Sequence, residues 1–148
     1  MASGTNSKTI YIGTLGELMT QIELLKRGIF VQPMGTLFDY DLMTTNHKRI
    51  EVKTAMPTHT YKTVRGKKYT FTRWQFRNYD KGNIPIQEQK GRKRECDFYV
   101  FIVLNPDQSY KAGYIVPEQV VSSSLMIYIG DNERNRFHQY KERWDLLK

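Results

Sequence analysis

The segments Phe38-Asp39-Tyr40-Asp41-Leu42-Met43 and Arg49-Ile50-Glu51-Val52-Lys53 decide the fold that we predict for this chain. Apolar and polar residues alternate along most of both segments, which is typical of β-strands with one covered face. The polar stretch Thr44-Thr45-Asn46-His47-Lys48 separates them and suits a turn. We therefore predict an antiparallel hairpin that turns around Asn46.

This hairpin predicts a cluster of charged groups. With a turn around Asn46, Asp41 lies opposite Glu51, and cross-strand Cβ atoms are roughly 4.5–5.5 Å apart. Glu51 and Lys53 share one face because side chains alternate along a strand. Two carboxylates this close repel each other unless a cation lies between them, and Mg²⁺ favours such oxygens together with water and a substrate phosphate. Lys53 then adds a positive charge that suits an attacking hydroxide or the developing charge at phosphorus.

A helix is predicted before the hairpin, over residues 15–27, after a polar and frayed tail. Thr14 and Glu17 have the spacing of a capping box, and Gly28 suits a left-handed cap at the other end. The helix carries an apolar stripe, which we expect to pack on the sheet. Its members are Leu15, Leu18, Met19, Ile22 and Leu25. Glu17 has two interpretations, a helix cap or a fourth member of the carboxylate cluster that reaches the metal directly or through water.

Further strands follow from shorter patterns. The run Phe98–Leu104 is apolar on both faces, which predicts a central, covered strand. Residues 29–32 are predicted as a short strand or a connector, and further strands are predicted over residues 69–76, 112–116 and 125–129. Residues 131–147 carry apolar side chains at spacings of three and four, so we predict an amphipathic C-terminal helix. The sequence thus predicts an α/β fold in which a central mixed β-sheet is flanked by helices.

Composition limits the class of protein. The chain has 148 residues, a length that fits one domain. Its single cysteine, Cys96, excludes an intrachain disulfide and a cysteine-based zinc site, and it favours a reducing, intracellular location. The N-terminal residues lack the apolar run of a signal peptide, and the longest apolar run is too short to cross a bilayer. We therefore expect a cytoplasmic protein without a membrane partner, associated with the nucleoid when bound to DNA.

The positive charge is concentrated in one segment. The whole chain carries a formal net charge of +8, whereas residues 62–94 contain eleven basic and two acidic residues. The remaining residues are therefore slightly acidic. A local excess of this kind indicates a surface that binds a polyanion, and the alternative is a solvated basic loop.

The basic segment also has a pattern suited to DNA. In a strand over residues 69–77, Arg73, Gln75 and Arg77 share one face, and Trp74 and Phe76 share the other. Arginine suits guanine edges and glutamine suits adenine edges in the major groove, which a ribbon built from residues 61–79 would enter. The alternative is that the aromatic residues are core and the basic residues contact only phosphates. The predicted DNA contacts are Arg65, Lys67, Lys68, Arg73, Gln75, Arg77, Lys90, Arg92, Lys93 and Arg94.

Residues 13–55 resemble the PD-(D/E)xK nuclease superfamily, which has the restriction-endonuclease-like fold. Within it, the pattern is most similar to the small homing endonucleases encoded by group I introns. The matching segments are Gly16-Glu17, Leu24–Gly28, Tyr40-Asp41-Leu42 and Glu51–Ala55, with weaker matches at Asp97-Phe98-Tyr99 and Tyr114–Pro117. Tyr40 stands where the superfamily motif has proline, a position that varies among its members.

This resemblance implies roles for four residues. Asp41 and Glu51 would be metal ligands, Lys53 a catalytic residue and Glu17 an accessory catalytic residue. Asp39 has the same strand parity as Asp41 and is an alternative ligand. The metal would be Mg²⁺, with Mn²⁺ as a substitute.

The predicted function is site-specific, double-strand DNA cleavage of the homing type, by one nuclease domain over residues 1–148 with a basic DNA-contacting insertion at about 58–95. Because one protomer carries one active site, cutting both strands calls for a homo-oligomer, a dimer or a tetramer. One alternative keeps the active site in a Holliday-junction resolvase or a restriction-type nuclease. A second alternative is a non-catalytic DNA-binding module.

Overall fold

A computed structural model describes residues 4–78, 95–121 and 124–148 of the chain. The helices and strands, in chain order, are α1 (Gly4–Lys26), β1 (Val31–Pro33), β2 (Leu42–Thr44), β3 (Arg49–Ala55), β4 (Pro57–Val64), β5 (Lys67–Arg77), β6 (Phe98–Leu104), β7 (Tyr110–Pro117), α2 (Glu118–Val121) and β8 (Met126–Gly130). No helix in the described ranges combines the length and the apolar character needed to cross a membrane.

The strands form two sheets. The larger has the order β1-β2-β3-β6-β7, with β3 and β6 parallel and every other pair antiparallel, so the predicted mixed sheet is confirmed. Its strand β6 is covered on both sides, since Tyr99 through Leu104 are each at most 1% exposed. This confirms the central strand expected from the apolar run. The second sheet has the order β4-β5-β8.

Both faces of the central sheet are covered. One face of the larger sheet packs against Leu24 of α1 and Trp144 near the C-terminus. Its other face is covered by the second sheet, through Trp74 and Phe76 of β5 and the isoleucines of β8. The fold is therefore mixed α/β, with α1 on one face of the central sheet and the second sheet, together with Val121 of α2, on the other.

The hairpin has the predicted register. Leu42 pairs with Ile50 and Met43 pairs with Arg49, as a turn around Asn46 requires. Strand β2 is shorter than expected, because residues 38–41 lie outside it. Asp41 immediately precedes β2, and its N–H donates to the carbonyl of Ile50 over 2.9 Å.

The start of the first helix differs from the prediction. Helix α1 begins at Gly4, so Thr14 and Glu17 lie in its interior and form no cap. The polar tail is therefore helical from Gly4. The predicted C-cap is confirmed: Gly28 has φ of +74°, and the N–H of Ile29 donates to the carbonyl of Leu24 over 2.9 Å.

The face of α1 that meets the sheet also differs. Gly16, Thr20 and Leu24 are buried at spacings of four residues, whereas Leu18 and Ile22 of the predicted stripe are more than half exposed. The physical reason is the small size of Gly16, which brings the helix backbone against Thr54 of β3. The expectation that the apolar stripe packs on the sheet was wrong for most of its members.

Strands β4 and β5 form the predicted ribbon with different bounds, Pro57–Arg77 in place of 61–79. The two-residue turn Arg65-Gly66 has φ of 52° and 77°, the positive values of a type I′ turn whose twist suits a hairpin. At the base of the ribbon the Trp74 indole N–H donates to the carbonyl of Leu104 over 2.9 Å. The ribbon is thereby joined to the central strand.

The C-terminal helix predicted over residues 131–147 is absent. The described segment instead contains two 3₁₀ turns, His138–Tyr140 and Trp144–Leu147. Between them Glu142 has φ of +56°, and its carboxylate accepts hydrogen bonds from the Tyr110 hydroxyl and the Trp144 indole, both at 2.6 Å. These tertiary bonds replace the helical ones, while the apolar side chains Phe137, Trp144 and Leu147 are still buried.

Candidate active site

Strand β3 carries two of the predicted site residues on one face. Glu51 and Lys53 lie opposite Tyr99 and Phe101 of β6, and the Lys53 Nζ is 3.6 Å from the Glu51 Oε1. Glu51 is 6% exposed. A carboxylate so far removed from water requires compensating partners, and the ammonium group of Lys53 is one of them.

Asp41 joins this pair through the backbone of β3. Strand β2 pairs with β3 only at Arg49 and Ile50, so the edge of β3 beyond that point receives the Asp41 side chain. The Asp41 Oδ2 accepts a hydrogen bond of 2.8 Å from the N–H of Val52. Its carboxylate is therefore fixed at the residue between Glu51 and Lys53.

Glu17 approaches from the helix on the opposite face of the sheet. Burial, and secondly the negative charge of Asp41, raise the pKa of the Glu17 carboxyl above its ordinary value of 4.5. The charge of Asp41 thus acts on Glu17, although α1 packs on the face of β3 that carries Thr54, opposite to Glu51 and Lys53. The helix cap is excluded, and the interpretation of Glu17 as an accessory acidic residue beside Asp41 stays a prediction.

The contact that positions Glu17 is made by its neighbour. A Cβ atom built on Gly16 would lie 1.6 Å from the Thr54 Oγ1, so only glycine permits this approach of α1 to β3. Sequence reasoning assigned Gly16 no packing role. The signal that could have revealed it is the pair of small residues Gly16 and Thr20, one helical turn apart.

Asp39, the alternative to Asp41, has a different environment. Its Oδ2 accepts a hydrogen bond of 3.1 Å from the N–H of Glu95, at the start of the chain segment that leads into β6. Asp41 is bonded to β3 itself, between Glu51 and Lys53. This geometry favours Asp41 as the acidic partner of Glu51.

The donor set suits a hard divalent cation that keeps part of its hydration shell. Within the described ranges, no three His, Cys, Asp or Glu side chains converge as a ready-made metal site. Mg²⁺ does not need such a cage, since one or two carboxylates plus water and phosphate oxygens complete its octahedron. Asp41 and Glu51 would hold the ion, and its charge would offset the contribution of Asp41 to the raised pKa of Glu17, which burial chiefly causes.

A further ion pair, missed by sequence reasoning, holds β3 in place. Arg49 at the start of β3 donates through its backbone N–H and its guanidinium to the Asp97 carboxylate, at 2.8 to 3.2 Å. The Arg49 guanidinium holds the pKa of Asp97 below its usual value, despite partial burial that acts in the opposite direction. This pair joins the beginnings of the two parallel strands β3 and β6.

The candidate DNA-contacting residues lie on the ribbon. Pairing and burial confirm that Arg73, Gln75 and Arg77 share the face opposite to the buried Trp74 and Phe76. Arg65, Lys67 and Lys68 are exposed at the tip of the ribbon. Four other predicted contacts, Lys90, Arg92, Lys93 and Arg94, lie outside the described residues.

Arg73 is held more firmly than Arg77. Its guanidinium lies 4.4 Å from the ring centre of Tyr128 in the neighbouring strand β8, and its Nε has no hydrogen-bond partner among the described residues. Arg77 is exposed at the end of β5. Of the two arginines, Arg77 is the one with freedom to reach a ligand.

Comparison with known proteins gives no further assignment. The sequence matches no protein-family model and no curated protein sequence. The chemistry of the site follows from its own residues, of which Glu51 with Lys53 and Glu17 with Asp41 form two interacting pairs linked through the backbone of Val52.

We predict that Gly16→Ala destabilises the protein by about 1–3 kcal/mol or more, because the added methyl group overlaps Thr54. The matched control is Gly13→Ala in the same helix, where a Cβ meets no atom within 4 Å and alanine raises helix propensity by roughly 0.5–1 kcal/mol. Urea unfolding measures both. Equal stability of the two variants would contradict the close approach of α1 to β3.

The raised pKa of Glu17 predicts a pH dependence. The folded protein binds this proton more tightly than the unfolded chain, so the contribution of Glu17 to stability is fully present below the unfolded pKa and is lost as pH rises through the folded pKa. Glu17→Gln should therefore be more stable than the parent at pH 8 without divalent cations, and the difference should vanish near pH 4. Unfolding free energies across this range check it.

Glu23 in the same helix provides the control for this pH dependence. Although partial burial opposes ionisation, hydrogen bonds from Arg27 and Lys26 lower the pKa of Glu23 overall. Glu23→Gln should thus lose stability relative to the parent as pH rises, the opposite trend. A stability difference for Glu17→Gln that is constant from pH 4 to pH 8 would rule out the proposed environment of Glu17.

Proposed function

We propose that this protein is a Mg²⁺-dependent endonuclease that hydrolyses phosphodiester bonds in double-stranded DNA at specific sites. The observation that carries the proposal is the Asp41 carboxylate bonded to β3 between Glu51 and Lys53. Two acidic groups and one ammonium group at an open strand edge match the needs of phosphodiester hydrolysis, in which negative charge accumulates around phosphorus. The site supports the resemblance to the PD-(D/E)xK superfamily and a restriction-endonuclease-like core.

Each site residue has a role in this mechanism. Asp41 and Glu51 bind the cation, which when bound lowers the pKa of a coordinated water and polarises the phosphate. Lys53, held beside Glu51, donates hydrogen bonds to the attacking oxygen and to the phosphate oxygens as their charge increases. Glu17, with its raised pKa, accepts a hydrogen bond from water near Asp41 and orients it.

The β4–β5 ribbon provides the contacts that bind DNA. Its basic residues neutralise phosphates, and each such contact releases counterions, so binding weakens as salt increases. The exposed Arg77, together with Gln75 on the same face, is suited to base edges in the major groove. Because one protomer holds one active site, cleavage of both strands requires an assembly of at least two copies.

Plasmid nicking with Mg²⁺ tests the active site. Lys53→Ala should lower the cleavage rate by about 10²–10³, the usual effect of losing one preorganised donor to a developing anion. Lys111→Ala is the matched control, because Lys111 is paired with Asp131, a residue outside the site, and this variant should cut at the parental rate. If Lys53→Ala, shown to be folded by circular dichroism, cuts as fast as the parent, the mechanism is wrong.

The same assay distinguishes the alternative metal ligands and the alternative functions. Asp41→Asn should abolish Mg²⁺-dependent cleavage while Asp39→Asn retains it, and the reverse result would make Asp39 the ligand. Competition between linear and four-way DNA distinguishes a site-specific nuclease from a junction resolvase. A parent protein that binds DNA but cuts neither substrate is a binding module.

Arg77→Ala should weaken DNA binding by about 1–3 kcal/mol if the side chain contacts a base edge, or lower the slope of log K against log salt by about 1 if it contacts a phosphate. Arg143→Ala, outside the ribbon and paired with Asp145, should change neither quantity. Fluorescence anisotropy at several salt concentrations measures both effects. Unchanged binding by Arg77→Ala would exclude this face of the ribbon from the DNA interface.

A further inference from the structure

An apolar stripe runs along the outer side of helix α1. Tyr11 is 75% exposed, and Leu18, Ile22 and Leu25 are 52%, 56% and 58% exposed. Leu15 lies between them, and it is half-buried because one side of it packs against the core beneath the helix. The sheet is contacted by the opposite side of the helix, through Gly16, Thr20 and Leu24, so packing within the protomer leaves this stripe facing outward.

The spacing of the stripe is that of a helix-pairing seam. Successive members, from Tyr11 to Leu25, are separated by four, three, four and three residues. This is the a/d pattern with which one helix packs against another in a left-handed pair. Scattered exposed apolar residues need no explanation, but five in this periodic order form a continuous surface.

The stripe fits a second copy of itself. Leu18 lies at its centre, with Leu15 and Ile22 about one turn to either side and Tyr11 and Leu25 at the ends. In two copies related by a twofold axis, apolar side chains would therefore lie opposite apolar side chains along the whole stripe. The positions beside the centre, Thr14 and Gln21, are uncharged, and two identical surfaces therefore do not repel each other there. We propose that two copies of this chain associate through the outer face of α1.

The size of the stripe indicates how tight the association is. Counting about 200 Å² for an aromatic and about 120 Å² for an aliphatic side chain, its exposed fractions amount to roughly 350 Å² of apolar surface per protomer. Interfaces are about 60% apolar, so two copies would bury roughly 1,200 Å² in total. That value lies at the lower limit for specific complexes, so the dimer dissociates on dilution.

The association would give the proposed nuclease its second active site. Only this consequence of dimerisation rests on the proposed function. Dimerisation in the absence of DNA and metal depends on the stripe alone. Failure of the dimer and failure of the nuclease are therefore separate results.

Sedimentation of the full chain across a wide concentration range, without DNA or metal, tests the pairing. The parent should shift from monomer to dimer, and Leu18→Glu should weaken association at least 100-fold. Leu37→Glu is the control, since Leu37 is 96% exposed outside the helix and its replacement should leave the dimer intact. Circular dichroism should show both variants folded.

The outcomes are distinct. A parent that stays monomeric at the highest concentration overturns the proposal, as does a dimer that Leu18→Glu does not weaken, because it would use another surface. A tetramer that Leu18→Glu reduces to dimers supports it. Co-sedimentation of a monomeric parent with anionic vesicles would assign the stripe to a lipid surface. Lys53→Ala should dimerise like the parent, and Leu18→Glu should nick plasmid with fewer double-strand cuts.

Discussion

The contact between Gly16 of α1 and Thr54 of β3 is the constraint from which the rest of the site follows. Because Gly16 has no side chain, the helix backbone lies directly on the strand that carries Glu51 and Lys53. Glu17 is thereby placed near the open edge where Asp41 is bonded to β3. The same contact leaves Leu18, Ile22 and Leu25 on the outer side of α1, so it bears on both the site and the outer surface of the helix.

Electrostatic strain is concentrated where the chemistry is proposed. Glu51 is buried beside the ammonium group of Lys53, and burial together with the nearby charge of Asp41 raises the pKa of Glu17. Elsewhere charges are arranged to stabilise the fold, as in the Arg49–Asp97 pair that joins β3 to β6. A cation held by Asp41 and Glu51, as proposed, would offset part of the cost of keeping these acidic groups together.

Local sequence patterns were sufficient to predict part of this structure. The alternation around Asn46 predicted the hairpin and its register, and the apolar run predicted β6 with its bounds, because strand faces and burial are encoded residue by residue. The shared face of Glu51 and Lys53 followed from the same alternation. The placement of Arg73, Gln75 and Arg77 on one face of β5 was predictable for the same reason.

Tertiary contacts decided the elements that were predicted wrongly. The apolar stripe of α1 was expected to be the buried face, but close packing selected the small residues Gly16 and Thr20. The C-terminal segment has helical spacing, yet the hydrogen bonds of Glu142 to Tyr110 and Trp144 hold it in two turns. The proximity of Glu17 to Asp41 likewise arises from packing between elements far apart in sequence. The assignment of catalytic and DNA-binding roles remains a proposal.

The parallel pairing of β3 with β6 has a consequence for how the molecule assembles. More than forty residues separate the end of β3 from the start of β6, so their alignment closes a long loop, a step that proceeds slowly because entropy must be lost before contacts form. The adjoining β4–β5 hairpin needs only a two-residue turn and can form within microseconds. The β4–β5 ribbon would thus exist early, and strand β3, which bears Glu51, would acquire its neighbour β6 late.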